Sequence, residues 1–387
     1  MRFFRKFVLR GLSYVLVAAV SAFIALMLWG GEYSKLTELE NVIKNNFVGQ
    51  ADMEQARDAA AEAMVDALGD RWSYYISAED YAAYQDNKDN SYVGVGITII
   101  KREDAAGFDI TEVTPGGSAH EQGVLPGDIL IAVDGQPVAE KTTTDIRTIV
   151  RGEEGTNVPV TVLRNEEELE FTLQRKRIQL AVARGQMLDG GIGLVRIENF
   201  NTNCASETIA AVKDLLEQGA TKLIFDVRNN PGGYVKEMTK VLDYLLPEGV
   251  LFRQEDNTGK ASQIDSDKDC LEVPVAVLVN GDSYSAAEFF AAALREYDWA
   301  IVVGQQTVGK GYYQYTIDLY DGSAVNLSCG KYFTPKGVNL TEVGGLTPDA
   351  EVEVDEQTAA QIASQTISVT EDPQIQAAIE ALNKTAE

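Results

Sequence analysis

The sequence predicts an α+β multidomain protein: an N-terminal membrane helix, a helical segment, a small β-rich module and a core of repeated βαβ units. Three observations predict it. Gly11–Gly30 is a 20-residue run without charge. Apolar residues alternate in short strand-like runs from Tyr92 onward. From Gly190 apolar strands alternate with amphipathic helices, which implies helices packed on a largely parallel sheet. The length of 387 residues suits two or three domains. The expected boundaries are an anchor over 1–30, a helical region over 31–91, the β-rich module over 92–177, the core over 178–370 and a tail over 371–387.

Arg2, Arg5, Lys6 and Arg10 give residues 1–30 a charge of +4 with no acid, so the rest of the chain carries −30 against a net −26. At about 1.5 Å per residue the Gly11–Gly30 run spans roughly 30 Å as a helix, the thickness of a bilayer's apolar core. Basic residues ahead of it favour a cytoplasmic N-terminus and an extracytoplasmic acidic bulk. A cleaved signal peptide is the alternative, but its apolar region is usually only about 7–15 residues. The acidity excludes nucleic acid as a partner, since that needs a basic face.

Ser34 can cap a helix carrying Leu36, Leu39, Ile43 and Phe47 at helical spacing. A second helix is expected over Asp52–Leu68 and a third over Ala78–Gln85. Between them lies the aromatic cluster Arg71–Ser77, read as packing, and Asp86–Asn90 forms a polar boundary. In the β-rich module, strands are expected over Val93–Lys101, Gly107–Thr114, Ile129–Val133, Val158–Arg164 and Leu169–Gln174, with a helix over Thr143–Val150. Gly94-Val95-Gly96-Ile97 would put adjacent backbone N–H groups at the mouth of a groove. Val124–Gly135 resembles the most recognisable segment of bacterial PDZ domains, which bind an extended peptide as an added strand and hold its terminal carboxylate on backbone N–H groups. Protein or peptide C-termini are therefore the expected partners.

In the core, strands are expected over Gly193–Ile197, Lys222–Val227, Val273–Val279 and Ala300–Val303, with helices over Ser206–Gln218, Tyr234–Leu246 and Ala286–Glu296; one more helix, Gln374–Leu382, closes the tail. Open α/β sheets hold ligands beyond the carboxyl ends of their strands. Asn230-Pro231-Gly232-Gly233 and Ser285 both lie at such ends and both open helices. A helix N-terminus suits a developing oxyanion, so Gly232 or Gly233 and Ala286 are the candidate N–H donors.

Ser285 needs a proton acceptor to act as a nucleophile. The one histidine, His120, belongs to the PDZ-like module and reads as a solvated surface residue. Lysine is the known substitute, and Lys310 follows 25 positions after Ser285 between Val308-Gly309 and Gly311-Tyr312-Tyr313. At the ordinary lysine pKa of about 10.4, only about 0.1% of the side chain is neutral near pH 7.5, and lowering it to about 7.5 takes roughly 4 kcal/mol of ammonium destabilisation. Burial supplies shifts of that size. Gln314 could orient the amine without adding a negative charge. The pair Ser328 and Lys331 is discounted, because Ala324–Tyr332 reads as a strand, where positions three apart face opposite sides. Cys204, Cys270 and Cys329 show no metal-type spacing, and neither a metal nor a cofactor is expected.

These segments together resemble the carboxy-terminal processing proteases, PDZ-containing serine peptidases with a Ser–Lys dyad. The resemblance runs from about Asp70 to Asp349 and takes in Asp226–Gly233, the Ser285 and Lys310 segments, Tyr332–Gly337 and Leu346–Asp349. It implies a crotonase/ClpP-like protease core with a mixed sheet, Ser285 as nucleophile, Lys310 as general base, Gln314 as third member, and Glu288 and Thr307 as supporting residues. The family pattern at the nucleophile is Ser-Ala-Ser-Ala-Ser-Glu. Here Tyr284 replaces a smaller residue, which bears on the S1 pocket. The expected enzyme is a membrane-tethered extracytoplasmic endopeptidase, with the N-terminal helices and C-terminal tail as candidate homodimer contacts and Arg151 as a candidate relay from the PDZ module. The alternative is a PDZ scaffold whose protease core is inactive; a lysine-dependent amidase of small molecules would leave the PDZ module unexplained.

Overall fold

The structure is a computed structural model and describes residues 20–21, 34–103 and 107–384. The Gly11–Gly30 run, apart from Val20 and Ser21, lies outside the described residues. Among the described residues no helix is long and apolar enough to cross a membrane. The chain divides into two compact units, Met1–Tyr75 and Ile76–Glu387.

Among the described residues, the first unit holds the helices Ser34–Asn46 and Met53–Asp66. Asp52 caps the second, accepting from the N–H groups of Glu54 and Gln55. Glu40 receives Lys44 and Arg57, and these cations hold its carboxyl down at about 2. Tyr75 donates to Asp58 at 2.7 Å, so part of the aromatic cluster is packing tied to this helix pair.

The second unit opens with the helix Ala78–Lys88, which runs through most of the expected polar boundary. The PDZ module follows. Its sheet has the order Ile97–Lys101, Phe108–Val113, Ile129–Val133, Asn157–Arg164, Glu167–Gln174, around Phe108, Ile110, Leu130, Ile146, Val160 and Leu173. The expected single strand Val93–Lys101 is two. Ser91–Gly94 pairs with Lys176–Gln179, and the chain turns at Gly96, where φ is +82°, before Ile97–Lys101 joins the other sheet. Ile97–Lys101 is thereby an edge strand with one row of backbone groups unpaired within that sheet. The helix Thr143–Val150 is closed by a capping box between Thr142 and Asp145 and touches this strand.

The core is a six-stranded mixed sheet in the order Ala183–Leu188, Ile192–Ile197, Lys222–Asp226, Val275–Val279, Ala300–Gly304, Ala350–Glu351. Only Ala183–Leu188 is antiparallel to its neighbour. Side chains alternate across it as strand geometry requires. Leu223 and Phe225 meet the helices Cys204–Glu217, Val235–Leu245 and Ala286–Glu296 on one face, while Ile224, Ala276 and Leu278 meet the C-terminal helix Pro373–Lys384 on the other. Ala286–Glu296 is buried from Ala286 to Leu294, and its Phe289, Phe290 and Leu294 are fully buried, each contributing roughly 1.5–3 kcal/mol. A second, antiparallel sheet runs Tyr312–Asp318, Ala324–Phe333, Gly249–Asp256, Ala261–Ser266.

Candidate active site

Two adjacent parallel strands, Lys222–Asp226 and Val275–Val279, end side by side, with Asp226 opposite Leu278. Their following turns are stitched together by asparagines. Asn229 N–H donates to Asn280 Oδ1 at 2.9 Å, Asn280 Nδ2 returns a bond to Asn229 Oδ1 at 2.9 Å, and Tyr284 N–H donates to the Asn230 carbonyl at 3.2 Å. The fully buried Ser283 hydroxyl donates to the Val227 carbonyl at 2.7 Å. The result places Ser285 at the N-cap of Ala286–Glu296 with φ 58° and ψ −122°, a conformation that L residues rarely adopt. Such backbone strain costs about 1–3 kcal/mol and persists only where the surroundings over-determine it.

Gly232 packs directly on this turn. A Cβ there would meet Ala286 N at 2.8 Å and Ser285 Cβ at 2.8 Å, so no other residue fits. Its N–H donates to Asn230 Oδ1 at 2.8 Å. Gly233 is bridged to Phe200: Phe200 N–H donates to Gly232 O and Tyr234 N–H to Phe200 O. That pairing turns the N–H of Gly233 itself to the opposite side. Ala286, as the first helical residue, has no carbonyl one turn back for its N–H.

Lys310 precedes the strand Tyr312–Asp318 and is half-buried. It is brought to Ser285 through Glu288, a fully buried carboxylate. Glu288 Oε2 accepts the backbone N–H of Ser285 and that of Lys310, both at 2.9 Å; Oε1 accepts Gly309 N–H at 2.6 Å and the Thr307 hydroxyl. Burial pushes the Glu288 carboxyl up, and the donors from Thr307, Lys310, Gly309 and Ser285 pull back against it. Thr307 also accepts Leu346 N–H at 2.8 Å. The lysine loop is braced from outside: Thr341 bonds both Gly309 O and Gly311 N–H, and Asn339 donates to Gly311 O. Lys310 Nζ lies 5.9 Å from the centre of the Tyr284 ring. Gln314 donates to Tyr312 O at 3.0 Å and to Ser328 Oγ at 3.1 Å.

Tyr332 is a site residue that sequence reasoning placed only inside a motif. Its hydroxyl donates to the Lys310 carbonyl. Burial, then the Glu288 charge, push this phenol up. Its ring packs tilted against Phe252 and edge-on against Phe289. The spacing of Tyr332 from Lys310 carried no signal of this.

In the PDZ module, Val95 O accepts Ala119 N–H and Gly96 O accepts Thr114 N–H, fixing the Gly94–Ile97 turn at the head of the edge strand. His120 is exposed on the short helix Ser118–Gln122. Arg151 lies 5.4 Å from the Tyr92 ring centre. All three cysteines are free; Cys204 is buried, and burial pushes its thiol up to about 12. Among the described residues no cluster of potential metal ligands occurs.

The peptidase family S41 profile matches residues 191–352, which hold both turns, Glu288 and the lysine loop. A PDZ domain profile matches residues 110–164. The chain belongs to peptidase family S41. It is 30% identical over 329 residues to a probable CtpA-like serine protease of Staphylococcus aureus (strain COL), covering 83% of this chain and 66% of that one. The match to its counterpart in Staphylococcus haemolyticus (strain JCSC1435) is 28% identical over 325 residues, 83% of this chain and 65% of the relative. The chain thus spans about two thirds of the length of these S41 relatives. Among solved structures, a putative S41 protease from Bacteroides fragilis NCTC 9343 superposes with a TM-score of 0.51 at 15% identity, over 84% of this chain and 90% of that one. That likeness supports the S41 fold.

Proposed function

We propose that this chain is a membrane-tethered, extracytoplasmic serine endopeptidase that takes protein C-termini on its PDZ domain and cleaves with Ser285 and Lys310. The observation that carries the reading is the convergence of both residues' backbone N–H groups on one oxygen of the buried Glu288, beside a Gly-Gly turn at the carboxyl ends of parallel strands. Neutral Lys310 takes the proton from Ser285 Oγ as Oγ bonds to the scissile carbonyl carbon. Negative charge passes to the carbonyl oxygen, received by the N–H groups of Gly233 and Ala286; the Gly232 N–H already has Asn230 as acceptor, which narrows the donor pair. The Lys310 ammonium then protonates the leaving amine as the carbon–nitrogen bond breaks; water, deprotonated by Lys310, adds to the acyl carbon, and the bond to Ser285 Oγ breaks as Oγ takes that proton back from Lys310.

Substrate delivery fits the PDZ edge strand Ile97–Lys101, which offers an unpaired row of backbone groups to an extended peptide, with Gly94–Ile97 at its head for the carboxylate. Tethering rests on the length and charge flanks of Gly11–Gly30. The reading is tested by fluorophosphonate labelling: wild type should be labelled at Ser285, and Ser285→Ala and Lys310→Ala should each lose labelling and peptide hydrolysis. Labelling absent from a folded wild type would instead favour a PDZ scaffold with an inactive core. The tether is tested by carbonate extraction of membranes, in which the protein should stay with the lipid; a soluble mature chain beginning near Gly31–Ser34 would contradict it.

A further inference from the structure

The Arg228 guanidinium is 1% exposed, and its partners reach it from two distant parts of the chain. Asp226, at the carboxyl end of the Lys222–Asp226 strand, accepts from Nε at 2.9 Å and from Nη2 at 2.8 Å. From the C-terminal segment, Asp372 accepts from Nη1 at 3.1 Å and Gln374 Oε1 accepts from Nη1 at 3.0 Å; Asp372 Oδ2 also lies 2.8 Å from Nη2. Arg196 adds a second cation on Asp226 at 3.0 Å. Burial alone would raise the Asp226 carboxyl, and Arg228 with Arg196 overcomes this and holds it below the usual range.

Asp372 is itself held firmly. It caps the helix Pro373–Lys384 by accepting from the N–H groups of Gln374 and Ile375. Ile375, Ala378 and Leu382 seat that helix on Ile224, Ala276 and Leu278. Gln374 Nε2 donates to the Val352 carbonyl at 2.8 Å. The helix therefore docks through its apolar face, and its N-terminus presents a fixed carboxylate to the residue that begins the Asn229–Gly233 turn.

We infer that the C-terminal helix is a positioning element of the active site: through Asp372 and Arg228 it sets the Asn229–Gly233 turn that lies against Ser285. The dependence reaches outside residues 191–352, the span of the S41 match. Asp372 touches no reacting atom and is a positioning residue. The kinetic part of the inference rests on the proteolytic reading, in which the Gly233 N–H receives the oxyanion. Without the Asp372 charge, Arg196 and Arg228 share the single anion Asp226 and one cation of the cluster is left uncompensated, and the turn carrying Arg228 is free to shift while the helix stays seated.

The test is Asp372→Asn in the full chain, which keeps the capping oxygen and the shape and removes the charge, with Arg228→Lys as a second variant that keeps the charge and loses the fork. Hydrogen exchange of the Asn229–Tyr234 amides should quicken in both variants, while exchange across Val275–Val279 stays as in wild type. With a short peptide substrate, kcat should fall about 10- to 100-fold, as sub-ångström misplacement does, with KM changed by less than about twofold. If wild type hydrolyses peptides and Asp372→Asn does so with undiminished kcat, the inference is overturned. If wild type hydrolyses nothing, the proteolytic reading fails separately and exchange alone decides, unchanged protection of Asn229–Tyr234 in both folded variants overturning the inference.

Discussion

Ser285 and Lys310, 25 residues apart, donate their backbone N–H groups to the same carboxylate oxygen, Glu288 Oε2, each at 2.9 Å. Their separation is therefore set by one side chain on the first turn of the helix that Ser285 caps. Neither the Ser285 turn nor the lysine loop can move without breaking a charge-assisted bond, worth about 1.5–3 kcal/mol.

Glu288→Gln should test that clamp. Every group facing the carboxylate is a donor, so an amide NH2 in either orientation meets a donor head-on. The expected result is a loss of roughly 1–3 kcal/mol or more in denaturant unfolding, as for a buried donor left unsatisfied, and loss of hydrolysis in whatever folded fraction remains. Unchanged stability and activity would show that the clamp is incidental.

Backbone strain at Ser285 gives a second test, one that needs no activity. At φ 58° and ψ −122° glycine is at ease and alanine is not. Ser285→Gly should therefore melt higher than Ser285→Ala, by about 1 kcal/mol or more at the midpoint. Equal melting would mean that the backbone at position 285 carries no strain in the alanine variant.

Tyr332→Phe removes one hydroxyl from the interior and keeps the ring against Phe252 and Phe289. The Lys310 carbonyl loses its donor. Hydrolysis of a short peptide should fall about 10-fold or more in kcat, with modest change in stability, since a deleted hydrogen bond of this kind is worth about 1–2 kcal/mol. Full activity in the variant would remove Tyr332 from the site.

The PDZ turn predicts a split between substrates. Gly96 has φ +82°, and a Cβ there would lie 3.1 Å from Ile178 Cδ1 and 3.2 Å from Gly117 Cα. Gly96→Val should distort the Gly94–Ile97 turn and slow cleavage of full-length proteins far more than cleavage of a short peptide that reaches Ser285 unaided. Equal slowing of both would show that the module does not dock substrate.

Much of this arrangement was legible in the sequence where local signals and burial agree. Ile129–Val133, Thr143–Val150 and Ala286–Glu296 fall where alternation and capping residues place them. The run Val93–Lys101 misled because its β pattern continues through Gly96, whose left-handed backbone sends the two halves to different sheets. The hairpin Gly249–Asp256 and Ala261–Ser266 went unread because its second strand is polar and exposed up to Ser266. Glu356–Ala363 went unread because it buries only Ile362. At the site, Ser285, Lys310, Glu288 and the glycines stand in motifs. The partners of Arg228 do not: Asp372 is 144 positions away and meets it only once the C-terminal helix has docked.

Lysine as the base is the central claim, and the most direct measurement is the rate of fluorophosphonate labelling of Ser285 against pH, for wild type, His120→Ala and Lys310→Ala. The wild-type rate should climb with pH as the amine loses its proton, and His120→Ala should follow the same curve because His120 is exposed on the PDZ helix. Lys310→Ala should be nearly unlabelled at every pH below that of free serine reactivity. A Lys310→Ala protein labelled at the wild-type rate, or a His120→Ala protein that loses the rising limb, would contradict the assignment of Lys310 as the group that activates Ser285.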